Sequence, residues 1–196
     1  IRDSHILDDL ERPREIGTVQ IDFGNSRRFG IKYVDADGEE RYPFILHTAI
    51  IGTVERYLYT LFDTAVKRMR EGKAPMLPVW LSPVQVRIIP VAERHMEYAE
   101  KLAEDLKEFR VDVDDRDETV GRKVRQAEEE WVPYVVVVGD KEAGGGKLTV
   151  RVREEREEVE MTVEELKEHI RREVKGKPFR PLPYPRRLSQ RPVFAA

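Results

Sequence analysis

Cysteine is absent from all 196 residues. That excludes a disulfide framework and a cysteine-based metal site within the chain. No apolar run approaches the ~20 residues that a membrane-spanning helix needs, so no membrane partner is expected. The opening stretch IRDSHILDDL has no signal-peptide pattern, and the expected location is the cytoplasm. A strong charge of one sign is missing too: 35 Lys and Arg stand against 38 Asp and Glu, a net charge of −3. The total announces no nucleic-acid partner, so any such surface must be local. What is present is an ordinary hydrophobic share, 40%, beside a high charged share, 37%. Abundant Glu, Lys and Arg without cysteine suits a heat-adapted protein. The length is enough for one large domain or two small ones.

The residues up to about Gly17 read as irregular and charged, and not as a natural beginning. Thr18–Phe23 alternates and reads as a strand, and Arg28–Val34 reads as a second. Asp35-Ala-Asp-Gly38 is a hairpin turn signal, with Glu40–His47 as the returning strand. A helix is expected over Val54–Arg70, with Thr53 as N-cap and Gly72 at its C-terminal cap. Val54, Leu58, Leu61, Ala65 and Met69 recur at helical spacing and predict one buried face. Residues 1–72 therefore read as an antiparallel-sheet domain. The stretch 73–83, KAPMLPVWLSP, has three prolines and reads as a linker.

Residues 84–175 change pattern. Strand Val84–Val91, helix Glu93–Phe109, strand Val111–Asp115 and helix Thr119–Glu130 lead to the apolar run Tyr134–Val138, which suits a strand buried on both faces. A turn at Gly144–Gly146 precedes strand Lys147–Arg153. The charge run Glu154–Glu160 reads as a solvated hairpin or edge. Thr162 and Glu165 form a capping box that opens a last helix, with Val163, Leu166 and Ile170 inward. The order predicts a small mixed-sheet α/β domain, and the fold class is α/β. Residues 176–196 carry five basic residues, five prolines and no acid. This basic, proline-rich tail is expected to be extended and irregular, wrapped over the protein surface, partly disordered, or lying along RNA phosphate.

One residue raises an electrostatic question. Arg56 falls in the first helical turn, where the backbone already makes a positive pole. A cation there is unfavourable by about 0.3–1 kcal/mol. Either it pairs with a neighbouring acid such as Glu55, or it strengthens the helix N-terminus as an anion site.

The stretch HTAIIGTVERYL resembles motif 3 of class II aminoacyl-tRNA synthetases, an apolar strand end, a glycine and then an arginine in the first turn of a helix. The histidine nine residues before the arginine, in H-x-A-x-x-G-x-x-E-R, is similar to the threonyl-tRNA synthetase family, as are GTVQIDF, WLSPVQVRIIPV, VPYVVVVGDKE and GGGKLTVRVR. The archaeal branch is expected. The prolyl, histidyl and glycyl enzymes share the second domain but lack that histidine. The resemblance implies the end of a catalytic domain plus an anticodon-binding domain, with motifs 1 and 2 upstream. It implies that Arg56 contacts ATP, with Gln20, Thr53 and Arg28 in the same site, and that His47 is one of three zinc ligands, the Cys and second His lying outside this chain. Thr53 departs from the bacterial serine but keeps the hydroxyl. Glu142 and Arg151 match anticodon-reading residues, and Gly144–Gly146 is expected to turn their strand ends onto a common surface. Asp117 replaces a bacterial asparagine, and Arg125 matches a basic helix residue. The implied activity is threonine–tRNA ligation with ATP, Mg2+ and Zn2+, on threonine and threonine tRNA, by a full-length homodimer. The alternative is a non-catalytic tRNA-binding module or a subunit of a split, editing-type synthetase. Taken alone, each of these residues also has a plain reading: His47 packed at a strand end, Gln20 outward on a strand, Arg28 in a solvated loop, Glu142, Arg151 and Arg125 as ordinary surface charges.

Overall fold

The computed structural model describes residues 2–192. Ile1 of the first expected domain and residues 193–196 of the expected tail lie outside the described residues. The chain divides into two compact units, 1–71 and 72–196.

In the first unit, β1 (Arg2–Leu7), β2 (Pro13–Asp22) and β5 (Ile45–Ala49) form an antiparallel sheet in the order β1-β2-β5. The stretch before Gly17 is thus half of a hairpin, not irregular. Its residues are exposed on both faces, so no apolar alternation marks it in the sequence. Gly17 sits where a Cβ would meet the Ile50 carbonyl oxygen at 2.7 Å, a close backbone approach that only glycine permits. Asp22 ends β2 by accepting the Gly24 and Asn25 amides at 2.8 and 2.9 Å. The chain then makes the single-turn α1 (Asn25–Arg28), so Arg28 closes a helical turn instead of starting a strand. Only β3 (Tyr33–Val34) and β4 (Glu40–Arg41) pair across the Asp35–Gly38 turn, where Gly38 has φ +84. The expected strand Glu40–His47 is two pieces: β4 stays in this ribbon and β5 joins β2. Pro43, which has no N–H to give to a ladder, lies between them.

Helix α2 (Val54–Arg70) has the expected bounds. The Thr53 hydroxyl accepts the Arg56 N–H at 3.3 Å, and Gly72 follows the helix at φ +77. Within this chain the expected buried face is left uncovered. Of its apolar positions only Ala65 is buried, while Val54, Leu58 and Met69 are 68%, 45% and 54% exposed. Polar contacts join the first hairpin to this helix, with the Asp9 N–H donating to Asp63 at 2.7 Å and the Tyr59 hydroxyl to Asp8 at 3.2 Å. Buried Asp8 accepts the Arg12 and Leu10 amides, the Arg14 and Arg12 guanidiniums, and the Tyr59 hydroxyl. Burial pushes its carboxyl up, but these donors outweigh that and hold it far below the usual carboxylate range.

The second unit contains β6 (Val86–Pro90), α3 (Met96–Asp105), β7 (Val111–Val113), α4 (Val120–Glu129), β8 (Tyr134–Val138), α5 (Asp140–Ala143), β9 (Leu148–Val152), β10 (Glu157–Met161) and α6 (Val163–Val174). The sheet order is β10-β9-β8-β6-β7, parallel among β7, β6 and β8 and antiparallel from β8 to β10. One face packs Val86, Ile88, Val136 and Val150 against Leu102 of α3 and Leu166 and Ile170 of α6. On the other face α4 covers Ile89 and Val135 with Ala127. The apolar run of β8 is explained by this double cover. Past β8 the second face carries Thr149 and Arg151 on β9, opposite Glu160 and Glu158 on β10. These positions stay in contact with solvent.

Candidate functional site

In the first unit, cross-strand pairing sets Gln20 directly opposite His47, with Asp22 two residues on along the same face. Gln20 donates to the Thr18 hydroxyl at 3.3 Å. The Asn25 and Gly24 amides hold the Asp22 carboxyl below its ordinary value, and His47 adds a smaller electrostatic pull. Arg56 and Thr53 line a groove of about 600 Å³ at the start of α2, together with Arg14, Glu15, Glu55 and Tyr59. Arg56 does not pair with Glu55. It faces Glu15 at 3.5 Å and is 45% exposed. Glu55 turns back to the helix start, where backbone N–H and the Thr53 hydroxyl hold its carboxyl low. Gly52, at φ +65, brings the chain into the helix beside Arg56, and a Cβ there would lie 3.1 Å from the Arg56 Cδ.

The groove therefore brings Arg56 and Thr53 together. Gln20 and His47 form a separate pair, and Arg28 stands apart, its guanidinium 5.7 Å from the Phe29 ring centroid. Arg14 is a groove cation that sequence reading missed, because it lies in the stretch read as irregular. Among the described residues no group of three or more His, Cys, Asp or Glu could hold a metal ion. His47 alone does not make a tetrahedral zinc site, which needs further ligands.

In the second unit Arg151 stands on the open part of the sheet, between Glu128 at the end of α4 and Glu158 on β10, each at 2.6 Å. It lines a groove of about 640 Å³ with Val135, Arg153, Arg156, Glu128 and Glu158. Glu142 shares that face through the Thr149 hydroxyl, which donates to it at 2.9 Å. It is not an exposed turn acid at a strand end. It is 6% exposed, in the first turn of α5, and its other oxygen accepts the Gly139 N–H at 2.9 Å. Burial would raise its carboxyl; the Gly139 and Thr149 donors bring it below the ordinary value, so it is ionised at neutral pH. Asp117 is exposed in the loop between β7 and α4. Arg125 is 79% exposed on α4 and pairs with Glu129 at 3.0 Å. Asp117 and Glu142 thus lie beyond the carboxyl ends of β7 and β8, the two parallel strands that flank β6, and the carboxyl ends of parallel strands are where open α/β sheets bind ligands.

Comparison with known proteins agrees with this division. A family model described as tRNA synthetase class II core domain (G, H, P, S and T) matches residues 2–65, and one described as anticodon binding domain matches residues 85–173. The threonine–tRNA ligase of Pyrobaculum calidifontis is 60% identical over 96% of this chain and 31% of its own length. That of Nanoarchaeum equitans is 53% identical over 96% of this chain and 29% of its own length. Among solved structures, the RNA binding domain of threonyl-tRNA synthetase from Cryptosporidium parvum superposes with a TM-score of 0.68 at 30% identity, covering 86% of this chain and 41% of that one. A prolyl-tRNA synthetase from the same organism, at TM-score 0.61 and 24% identity, shares the fold. The chain belongs to the class II aminoacyl-tRNA synthetases, with part of the core and an anticodon-binding domain. Within that class it is the C-terminal part of threonine–tRNA ligases that it matches, spanning about a third of those relatives' length.

Proposed function

We propose that this chain serves as the C-terminal part of a threonine–tRNA ligase, with residues 1–72 completing a catalytic core, 73–83 linking, and 84–175 binding the anticodon of threonine tRNA. The whole enzyme, as a homodimer, activates threonine with Mg2+-bound ATP and transfers it to the tRNA 3′ end. Arg56, with Thr53 beside it, offers a guanidinium and helix N–H groups to the ATP phosphates. Gln20 lies toward the adenylate, Arg28 contributes at the edge of that site, and His47 supplies one zinc ligand to partners from outside this chain. A cytoplasmic location fits, and no helix of the described residues is long and apolar enough to cross a membrane.

The observation that carries the RNA-binding part is the uncovered half of the second sheet face. There Arg151 presents a forked donor beside a groove large enough for an unstacked base, and unstacked loop bases are what sequence-specific RNA recognition targets. Guanidinium bonds to guanine O6 and N7 require Arg151 to leave Glu128 or Glu158, both of which are solvent-accessible partners. Buried Glu142 shapes the turn that borders this surface and keeps Thr149 in place, Asp117 offers a second carboxylate from the β7–α4 loop, and Arg125 reaches backbone phosphate. Arg151→Ala is expected to weaken binding of the threonine anticodon stem–loop by about 1–3 kcal/mol, and to weaken a stem–loop altered at its middle guanine much less. Equal loss for both, with a flatter salt dependence, would make Arg151 a phosphate contact and remove the base-reading role.

A further inference from the structure

The basic C-terminal segment lies against the second unit in a definite way. Strand β7 is an edge strand, and edge N–H groups need a partner. The Val113 N–H donates to the Arg186 carbonyl at 3.0 Å, and Val113 and Arg187 form a parallel bridge. Three arginines of the segment meet carboxylates of the domain: Arg187 meets Glu100 at 2.6 Å, Arg186 meets Glu104 at 3.3 Å, and Arg191 meets the buried Asp112 at 3.0 Å. Leu188 is 9% exposed. Ser189 binds Asp115 twice, its N–H donating at 2.9 Å and its hydroxyl at 2.6 Å. Asp115 opens the loop from β7 to α4, the loop that carries Asp117. The anticodon-binding family match ends at residue 173, so this segment lies outside it.

We propose that residues 185–192 are a strap that closes the β7 edge and fixes the β7–α4 loop through Ser189 and Asp115. Its Arg186, Arg187 and Arg191 serve this internal contact and do not track RNA phosphate. Where the anticodon reading above holds, Ser189 is a positioning residue for Asp117; that consequence rests on that reading, while the strap itself does not.

The test uses the whole 196-residue chain and its Ser189→Ala, Ser189→Thr and Arg187→Glu variants. Amide exchange is read at Val113 and across residues 115–119, and affinity for the anticodon stem–loop is read at several salt concentrations. Ser189→Ala should speed exchange in the 115–119 loop by about tenfold or more, as expected for a lost hydrogen-bonded anchor. Ser189→Thr, which keeps the hydroxyl, should restore it. Arg187→Glu should speed exchange at Val113, and adding Glu100→Arg should restore protection. The salt slope of RNA binding should be unchanged in all of them. Wild-type exchange in Ser189→Ala and Arg187→Glu would overturn the strap. A salt slope reduced by about one per arginine removed, with exchange unaltered, would overturn it in favour of RNA contact. A chain that binds no RNA in any form would sink the proposed function and leave the exchange result to decide the strap.

Discussion

Replacing Arg56 with alanine in the full-length enzyme is expected to cut threonine-dependent ATP–pyrophosphate exchange by about tenfold or more, which is ~1.4 kcal/mol of barrier. The guanidinium stands at the first turn of α2, where unpaired N–H groups already favour an anion. The acid it faces, Glu15, is 3.5 Å away and 43% exposed, a loose pair that an arriving phosphate displaces at little cost. The unfavourable placement of a cation at a positive pole then has a purpose, since bound phosphate reverses its sign. Zinc content separates this role from the metal role. Arg56→Ala should retain zinc, whereas His47→Ala should lose it. Exchange at the wild-type level in Arg56→Ala would refute the phosphate contact, and equal zinc in His47→Ala would refute the ligand.

Arg87→Ala should destabilise the second unit by about 3–5 kcal/mol, the usual cost of leaving a buried partner uncompensated. Arg87 is fully buried and forks onto Asp112, at 3.0 and 2.9 Å, and reaches Glu130 at 2.7 Å. Burial alone would lower the guanidinium, but Asp112 and Glu130 more than reverse this and hold it above its ordinary value. Asp112 is fully buried too, and burial pushes its carboxyl up despite Arg87 and Arg191. Arg191, 3.0 Å from Asp112, remains as a second cation for that carboxylate, which is expected to place the loss toward the lower end of the range. Urea unfolding of the whole chain measures it. Arg125→Ala is the control: its pair with Glu129 is exposed and one turn apart, so the change should stay below about 0.5 kcal/mol. Comparable losses at the two sites would contradict the burial argument.

The sequence was most legible where a local rule and the tertiary fold agree. Thr53, helical spacing and Gly72 predict α2 with its observed bounds, and Tyr134–Val138 reads as the doubly covered strand it is. The Thr162–Glu165 box opens α6 with both expected bonds, at 2.7 and 3.2 Å. It was least legible where polar groups do the work of a core. The β1–β2 hairpin is tied to α2 through Asp8, whose partner Tyr59 is 51 residues away, so no local window of sequence reveals that anchor. Leu58 and Met69 keep a core-like spacing yet stay exposed, because periodicity reports a face and not what covers it. In the site, the type of each residue could be read but not its surroundings. Glu142 has the chemistry of a base reader, yet G-D-K-E is also a helix turn whose last residue caps its own start.

In the proposed function, RNA binds the open half of the second sheet face. Amide exchange of the whole chain with and without the threonine anticodon stem–loop tests it most directly. New protection is expected in β9, β10 and residues 139–147, with little change in α3 and α6 on the covered face. Protection confined to α3 and α6, or none in β9 and β10 at saturating RNA, would contradict it.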